Sequence, residues 1–195
     1  MAQFQPRRIL GKWQQGFALD LHTISSIPLG YNEYGHMQFD TTRSEVGELL
    51  FKLKNRADTS TVPEIVAAAV QFITAWKPPI DMIVPVPPSS MRAVQPVILL
   101  AQEISTQLGI PLVQAVTKTR DTPQLKNIYD LDERLNALDG VHVADSAAAQ
   151  GCRILLFDDL FRSGATMNAI TTALYDQGKA AGVFAFTITR TRSNQ

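Results

Sequence analysis

Three short apolar runs, DMIVPVP (81–87), RILLF (153–157) and GVFAFTITR (182–190), constrain this chain more than any other feature. Each has the length of a strand, and the first two are near-continuous apolar runs of the kind buried on both faces of a sheet. Between them lie segments of helical spacing. Pro96 to Leu108 carries Val97, Leu100, Ala101, Ile104 and Leu108 ahead of a stop at Gly109, and 164–177 carries Met167, Ile170, Thr171 and Leu174. IPLVQAV (110–116) is expected as a further strand and GVHVA (140–144) as a short one. Strands alternating with helices predict an α/β fold: a mostly parallel, twisted sheet with helices on both faces.

Upstream the pattern is weaker. Residues 1–40 alternate loosely and carry several turn signals, which predicts short strands or a hairpin, a small N-terminal hood on a domain spanning 41–195. A helix with Val46, Leu49, Leu50 and Leu53 on one face follows, with Thr42 and Glu45 spaced as a capping box. Thr61 and Glu64 repeat that spacing before the stripe Ile65, Ala69, Phe72, Ile73 and Trp76, which Lys77-Pro78-Pro79 ends. Residues 118–139 are polar, proline-broken and long, which marks either elements without a readable pattern or a functional loop.

Composition excludes several classes. The 195 residues, 45% hydrophobic, suit one α/β domain, and 18 basic against 18 acidic residues leave no electrostatic drive toward nucleic acid or membrane. The single Cys152 excludes an internal disulfide and a cysteine zinc cluster. No apolar stretch reaches the roughly 18 residues of a membrane span, and MAQFQPRRIL has no signal-peptide core, so the cytoplasm is the expected location. His22, His36 and His142 are scattered without ligand spacing; Trp13 and Trp76 are expected in packing roles; Lys52, Lys54 and Arg56 are expected on a solvated helix face.

The chemistry concentrates in ILLFDDLFRSGATMNAI (154–170). Ligands of such sheets sit beyond the carboxyl ends of the strands, where Asp158 and Asp159 fall. Arg162-Ser163-Gly164-Ala165-Thr166 then turns into a helix whose N-terminal N–H groups and dipole favour an anion. Gly164 admits close approach, and the Ser163 and Thr166 hydroxyls add donors. Paired acids repel a phosphate but accept hydrogen bonds from vicinal hydroxyls, so the stretch suits a sugar phosphate. An Asp ending a strand can also simply cap a turn. A Walker A loop is excluded, since no Gly-Lys-Ser/Thr occurs, and there is no GxGxxG.

This stretch resembles the phosphoribosyl-diphosphate (PRPP) binding motif of the type I phosphoribosyltransferases, with Arg162-Ser163 where that family often has two threonines. Together with IVPVPPSSMR, TKTRDTPQLKNIYDLDERLNAL, GELLFKLKNRAD and ITRTR, it looks like the ComF type, a group associated with natural competence. The resemblance covers roughly residues 40–190. It implies that Asp158 and Asp159 hold the ribose hydroxyls and Arg162, Ser163, Gly164, Ala165 and Thr166 the 5′-phosphate. It further implies a pyrophosphate loop at Pro88, Ser89, Ser90 and Arg92, and closing-loop cations at Lys118, Arg120 and Lys126. Mg²⁺ is expected with the PRPP, held mainly by the ligand. The implied partners are PRPP or a nucleoside monophosphate and an unidentified acceptor, with no membrane, nucleic acid only indirectly, and a homodimer left open. Two departures stand out. The four-cysteine zinc module often found in that group is excluded, and its Arg-Gly-Phe-Asn-Gln stretch is replaced by Arg92-Ala93-Val94-Gln95-Pro96. Phosphoribosyl transfer and non-catalytic, regulatory PRPP binding are the two functions expected of such a chain.

Overall fold

The computed structural model describes residues 2–88, 93–120, 138 and 140–192. In chain order its elements are β1 (Arg7–Arg8), β2 (Gln15–Leu21), β3 (Ser25–Tyr31), β4 (Met37–Thr42), α1 (Glu45–Arg56), a 3₁₀ turn (Thr59–Thr61), α2 (Val62–Trp76) and β5 (Met82–Pro85), then α3 (Pro96–Leu108), β6 (Val116–Lys118), β7 (His142–Ala144), α4 (Ser146–Ala149), β8 (Arg153–Phe161), α5 (Ala165–Asp176) and β9 (Gly182–Arg190). Five strands form the central sheet in the order β1-β2-β9-β8-β5; β2, β9, β8 and β5 run parallel, and β1 is an antiparallel edge.

The period of two in β8 and β9 sorts their side chains into two cores. Leu155, Phe157, Phe184, Phe186 and Ile188 pack with Leu19 beneath α1, α2 and α3. Ile154, Leu156, Val183 and Ala185 face the other way, onto Met167, Ile170 and Leu174 of α5 and onto Trp13. The expected parallel sheet with helices on both faces is therefore observed.

Some elements differ from expectation. Residues 7–21, expected in an irregular hood, instead supply β1 and β2, because Ala18 and Leu19 are each 0% exposed and bury opposite faces of the sheet. Of the first 42 residues, only the hairpin β3–β4 stands apart. The strand expected over 110–116 shrinks to one parallel bridge, Leu112 to Ile83, secured by Ile83 N–H to the Pro111 carbonyl and Val113 N–H to the Ile83 carbonyl (both 2.9 Å). Pro111 has no N–H to extend the ladder, and β6 turns away to pair antiparallel with β7.

The cap of α1 is Ser44 rather than Thr42. Its hydroxyl accepts the Gly47 N–H (2.9 Å) and donates to the Leu21 carbonyl (2.5 Å), whereas Thr42 is still paired within the hairpin. Thr61 does not cap α2 through its side chain; its hydroxyl bonds the Asp58 carbonyl, and Asp58 caps the 3₁₀ turn. The Ser44–Leu21 bond clamps α1 onto the end of β2 so closely that a Cβ on Gly47 would collide with the His22 carbonyl oxygen. Gly47→Ala should therefore lower stability by about 1–3 kcal/mol, the usual cost of overpacking, even though Ala is the better helix former. Denaturant unfolding measures this, and an unchanged midpoint would contradict the close approach.

Candidate functional site

Because β2, β9, β8 and β5 are parallel, all four end on one edge. The β5–β8 ladder closes at Pro85 opposite Phe157, while β8 continues along β9 with Asp158 opposite Thr187 and Phe161 opposite Arg190. Asp158 and Asp159 thus project beyond the shorter strand, yet both still lie within β8. Successive strand residues point to opposite faces. Asp159 continues the Leu155–Phe157 row, on the side of α1, and Asp158 the Ile154–Leu156 row, on the side of α5.

This separation gives the two acids different surroundings. Asp159 is 6% exposed and accepts a hydrogen bond from Lys54 Nζ at 2.7 Å, a largely buried ion pair. Among the described residues Asp158 has no such cation paired with it. Burial first, and the neighbouring Asp159 charge second, push its carboxyl up to about 7, against the smaller opposing pull of Lys54 and of the Asp159 N–H that it accepts at 2.8 Å. Asp158 therefore holds a proton up to neutral pH.

The turn after the acids is shaped by packing. Phe161 lies edge-on against Trp13, with ring centroids 6.1 Å apart. Gly164, at φ +76°, brings the backbone against the Phe161 ring, which a Cβ would meet at 2.8 Å. Arg162 and Ser163 are exposed, Gly164 and Ala165 buried, and Thr166 half-buried. Gly164 is the N-cap of α5, and no side chain caps that helix; the Ser163 hydroxyl reaches the Ala165 N–H only at 3.5 Å. An uncapped helix start lined by an arginine and two hydroxyls has the donors and the dipole that suit an anion.

The structure adds residues that sequence reasoning did not select. Lys54, expected on a solvated face, faces inward because Gly47, Phe51 and Lys54 share one stripe of α1, at i, i+4 and i+7, and Gly47 touches the end of β2. That stripe was visible in the sequence; the close approach that turns it toward β8 was not. His22, one residue past β2, lies 3.2 Å from the Thr189 hydroxyl. Burial, then the Lys54 and Arg43 charges, lower it to about 4 despite Asp159, so it is neutral at pH 7. Arg43 stacks on Phe51, its guanidinium carbon 3.8 Å from the ring centroid.

The other expected positions are more distant or not described. Pro88 is exposed on the same edge, after β5, whereas Ser89, Ser90 and Arg92 lie outside the described residues. Lys118 ends β6 opposite His142, and Arg120 follows it; Lys126 lies outside the described residues. His142 is 3% exposed, and neither ring nitrogen has a hydrogen-bond partner. Trp13 and Trp76 both pack, Trp76 against Phe17 and Phe184. Among the described residues no group of three or more His, Cys, Asp or Glu side chains is placed to hold a metal, and no helix is long and apolar enough to cross a membrane.

The two perturbed groups pull stability in opposite directions. Between its ordinary value of 3.8 and about 7, Asp158 binds a proton in the folded chain that the unfolded chain lacks, so stability falls as pH rises through that window. His22 binds a proton first in the unfolded chain, so its contribution is lost as pH falls from 6.5 toward 4. Asp158→Asn removes only the first effect. Its stability relative to wild type should therefore be higher at pH 8 than at pH 5 in urea unfolding; a pH-independent difference would contradict the assignment.

No family model and no curated protein matches the chain. Among solved structures, glutamine PRPP amidotransferase from B. subtilis, complexed with ADP and GMP, aligns with a TM-score of 0.51 and 17% identity over 80% of this chain. The match spans only 34% of that larger enzyme. Adenine phosphoribosyltransferase from Leishmania tarentolae gives 0.45 and 12% over 95% of this chain and 79% of its own. The likeness to the amidotransferase is one of fold: the chain is an α/β domain with the type I phosphoribosyltransferase fold.

Proposed function

We propose that this protein binds PRPP with Mg²⁺ and transfers its 5-phosphoribosyl group to an acceptor. The observation that carries the reading is the union, at one sheet edge, of the Asp158–Asp159 pair with the uncapped start of α5 at Gly164. A ribose 5-phosphate presents vicinal hydroxyls and a dianion a few ångströms apart. Asp159, paired with Lys54, accepts from one hydroxyl, and Asp158, protonated near neutrality, can donate as well as accept. Arg162, Ser163, Gly164, Ala165 and Thr166 take the 5′-phosphate through N–H groups, hydroxyls and the arginine.

In the transfer, the C1–oxygen bond to diphosphate breaks and the diphosphate leaves with the bonding electrons. The acceptor's lone pair forms the new bond to C1, and the acceptor then gives up its proton. Such chemistry needs the sugar held still and the leaving group's charge balanced more than it needs a protein nucleophile. Pro88, Ser89, Ser90 and Arg92 after β5, and Lys118, Arg120 and Lys126 on the long loop, are assigned to the diphosphate on the strength of the sequence resemblance. Asp158 and Asp159 are oxygen donors suited to a hard cation but too few to cage one, so Mg²⁺ is to arrive with the diphosphate and offset its charge.

A ComF-type role, linked to competence and exercised in the cytoplasm, is the finer form of this proposal and rests on the resemblance over residues 40–190. Non-catalytic PRPP or nucleotide binding is the second reading, favoured by Arg92-Ala93-Val94-Gln95-Pro96 standing where that group carries a different stretch. Isothermal titration with PRPP and Mg²⁺ tests the shared step. Binding is expected, and Asp158→Asn with Asp159→Asn should weaken it at least about tenfold through the lost hydroxyl contacts. No heat for the wild type, or equal affinity of the double variant, would overturn the site. Pyrophosphate release across a panel of amines and heterocyclic bases separates transfer from binding alone.

A further inference from the structure

His22 and Arg43 have no task in the phosphoribosyl site just described. His22 immediately follows β2 and Arg43 immediately precedes α1, so the two bracket the β3–β4 hairpin, whose base is closed by Ile24 N–H to the Thr42 carbonyl at 2.8 Å. Lys54 lies on the same side, and Arg162 is near enough to act on the His22 ring. Three of the four charged groups that act on His22, namely Lys54, Arg43 and Arg162, are cations, and the fourth, Asp159, is already paired with Lys54.

Arg43 is the least satisfied of them. One of its terminal nitrogens bonds Glu48 at 3.3 Å, and its plane lies on Phe51. Its Nε is buried and has no hydrogen-bond partner. A buried guanidinium N–H without an acceptor is costly unless a ligand supplies one. The position also separates this cluster from the diphosphate. β2 and β5 stand three strand spacings apart in the order β2-β9-β8-β5, about 14 Å at the usual spacing. The leaving group belongs beside β5, and the cluster lies across the acid pair from it.

We infer that the β2 side of this edge is the acceptor subsite and that it selects an acceptor carrying a carboxylate, held by Arg43 with His22 at the root of the β3–β4 hairpin. This rests on the PRPP-binding reading and adds the chemical class of the acceptor to it. The carboxylate supplies the acceptor atoms that Arg43 Nε lacks, in the planar geometry a guanidinium prefers. Neutral His22 contributes one ring N–H, and Phe51 backs the guanidinium. Arg43 is thereby a specificity-determining residue, outside the acid pair and the phosphate turn.

The test uses matched probes, pyridine-3-carboxylate and pyridine-3-carboxamide, titrated by ligand-observed NMR into full-length protein saturated with ribose 5-phosphate. The acid should bind at least roughly tenfold tighter than the amide. Arg43→Gln should bring the two within about twofold, Arg43→Lys should keep part of the preference, and PRPP affinity by calorimetry should stay within about twofold for both variants. Equal binding of acid and amide by the wild type, or no binding of the acid, overturns the inference while PRPP binding stands. A tenfold loss of PRPP affinity in Arg43→Gln also overturns it, because the cluster would then serve the phosphoribosyl half. If the wild type binds the acid but no PRPP, the function proposed above fails, and the preference for the acid, measured without ribose 5-phosphate, still decides the subsite.

Discussion

A carboxylate taken out of water beside a second carboxylate needs a cation held against it, and Lys54 is that cation for Asp159. Much of the architecture serves this one contact. Lys54 reaches β8 only because α1 lies hard against the end of β2, and α1 can lie there only because Ser44 bonds the Leu21 carbonyl and residue 47 has no side chain. β2 holds its place because Leu19 and Ala18 are fully buried on opposite faces of the sheet. The ion pair thus ties residues 18–22, 44–54 and 159 into a single mechanical unit. Among the described residues it leaves Asp158 without an ion-pair partner, and burial beside Asp159 raises that carboxyl.

The central layers were legible in the sequence because their signals are local. RILLF and GVFAFTITR are near-continuous apolar runs, Gly109 marks a helix end, and the Asp-Asp and Ser-Gly-x-Thr stretch places a strand end, a turn and a helix start within a dozen residues. β9 falls on 182–190 as its run suggests, and α3 on Pro96–Leu108. What the sequence hid is non-local. QGFALDL looks like one more weakly alternating segment, and only its pairing with β9, nearly 170 residues later, makes it a sheet strand. The inward turn of Lys54 is hidden for the same reason: a helix carrying Lys52, Lys54, Asn55 and Arg56 resembles any solvated face until Gly47 is seen against His22. Ser44 outranks Thr42 as a cap because it alone can bond both its own helix and the preceding strand.

The hairpin β3–β4 is the element least explained by its own contacts. Ile27, Leu29, Tyr31 and Phe39 are all more than half exposed, and a two-stranded ribbon is of marginal stability by itself. It is held at its base rather than along its length: by the Ile24–Thr42 bond, by Arg192 donating to the Ile24 carbonyl at 2.7 Å, and by the burial of Ser44 at the next turn. Its root coincides with the His22 and Arg43 cluster, since His22 precedes β3 and Arg43 follows β4. That shared root gives the ribbon a route by which its position can depend on what occupies the edge below.

The strand order carries a kinetic consequence. β9, late in the chain, sits at the centre of the sheet between β2 and β8, so β2 has no partner for its parallel ladder until residues 182–190 have been made. Local helices and the β3–β4 ribbon can form during synthesis, but Asp159, Lys54 and His22 converge only once β9 joins β2 to β8. Until then the facing edges of β2 and β8 have no ladder between them, and the N–H and C=O groups along those edges stay unpaired.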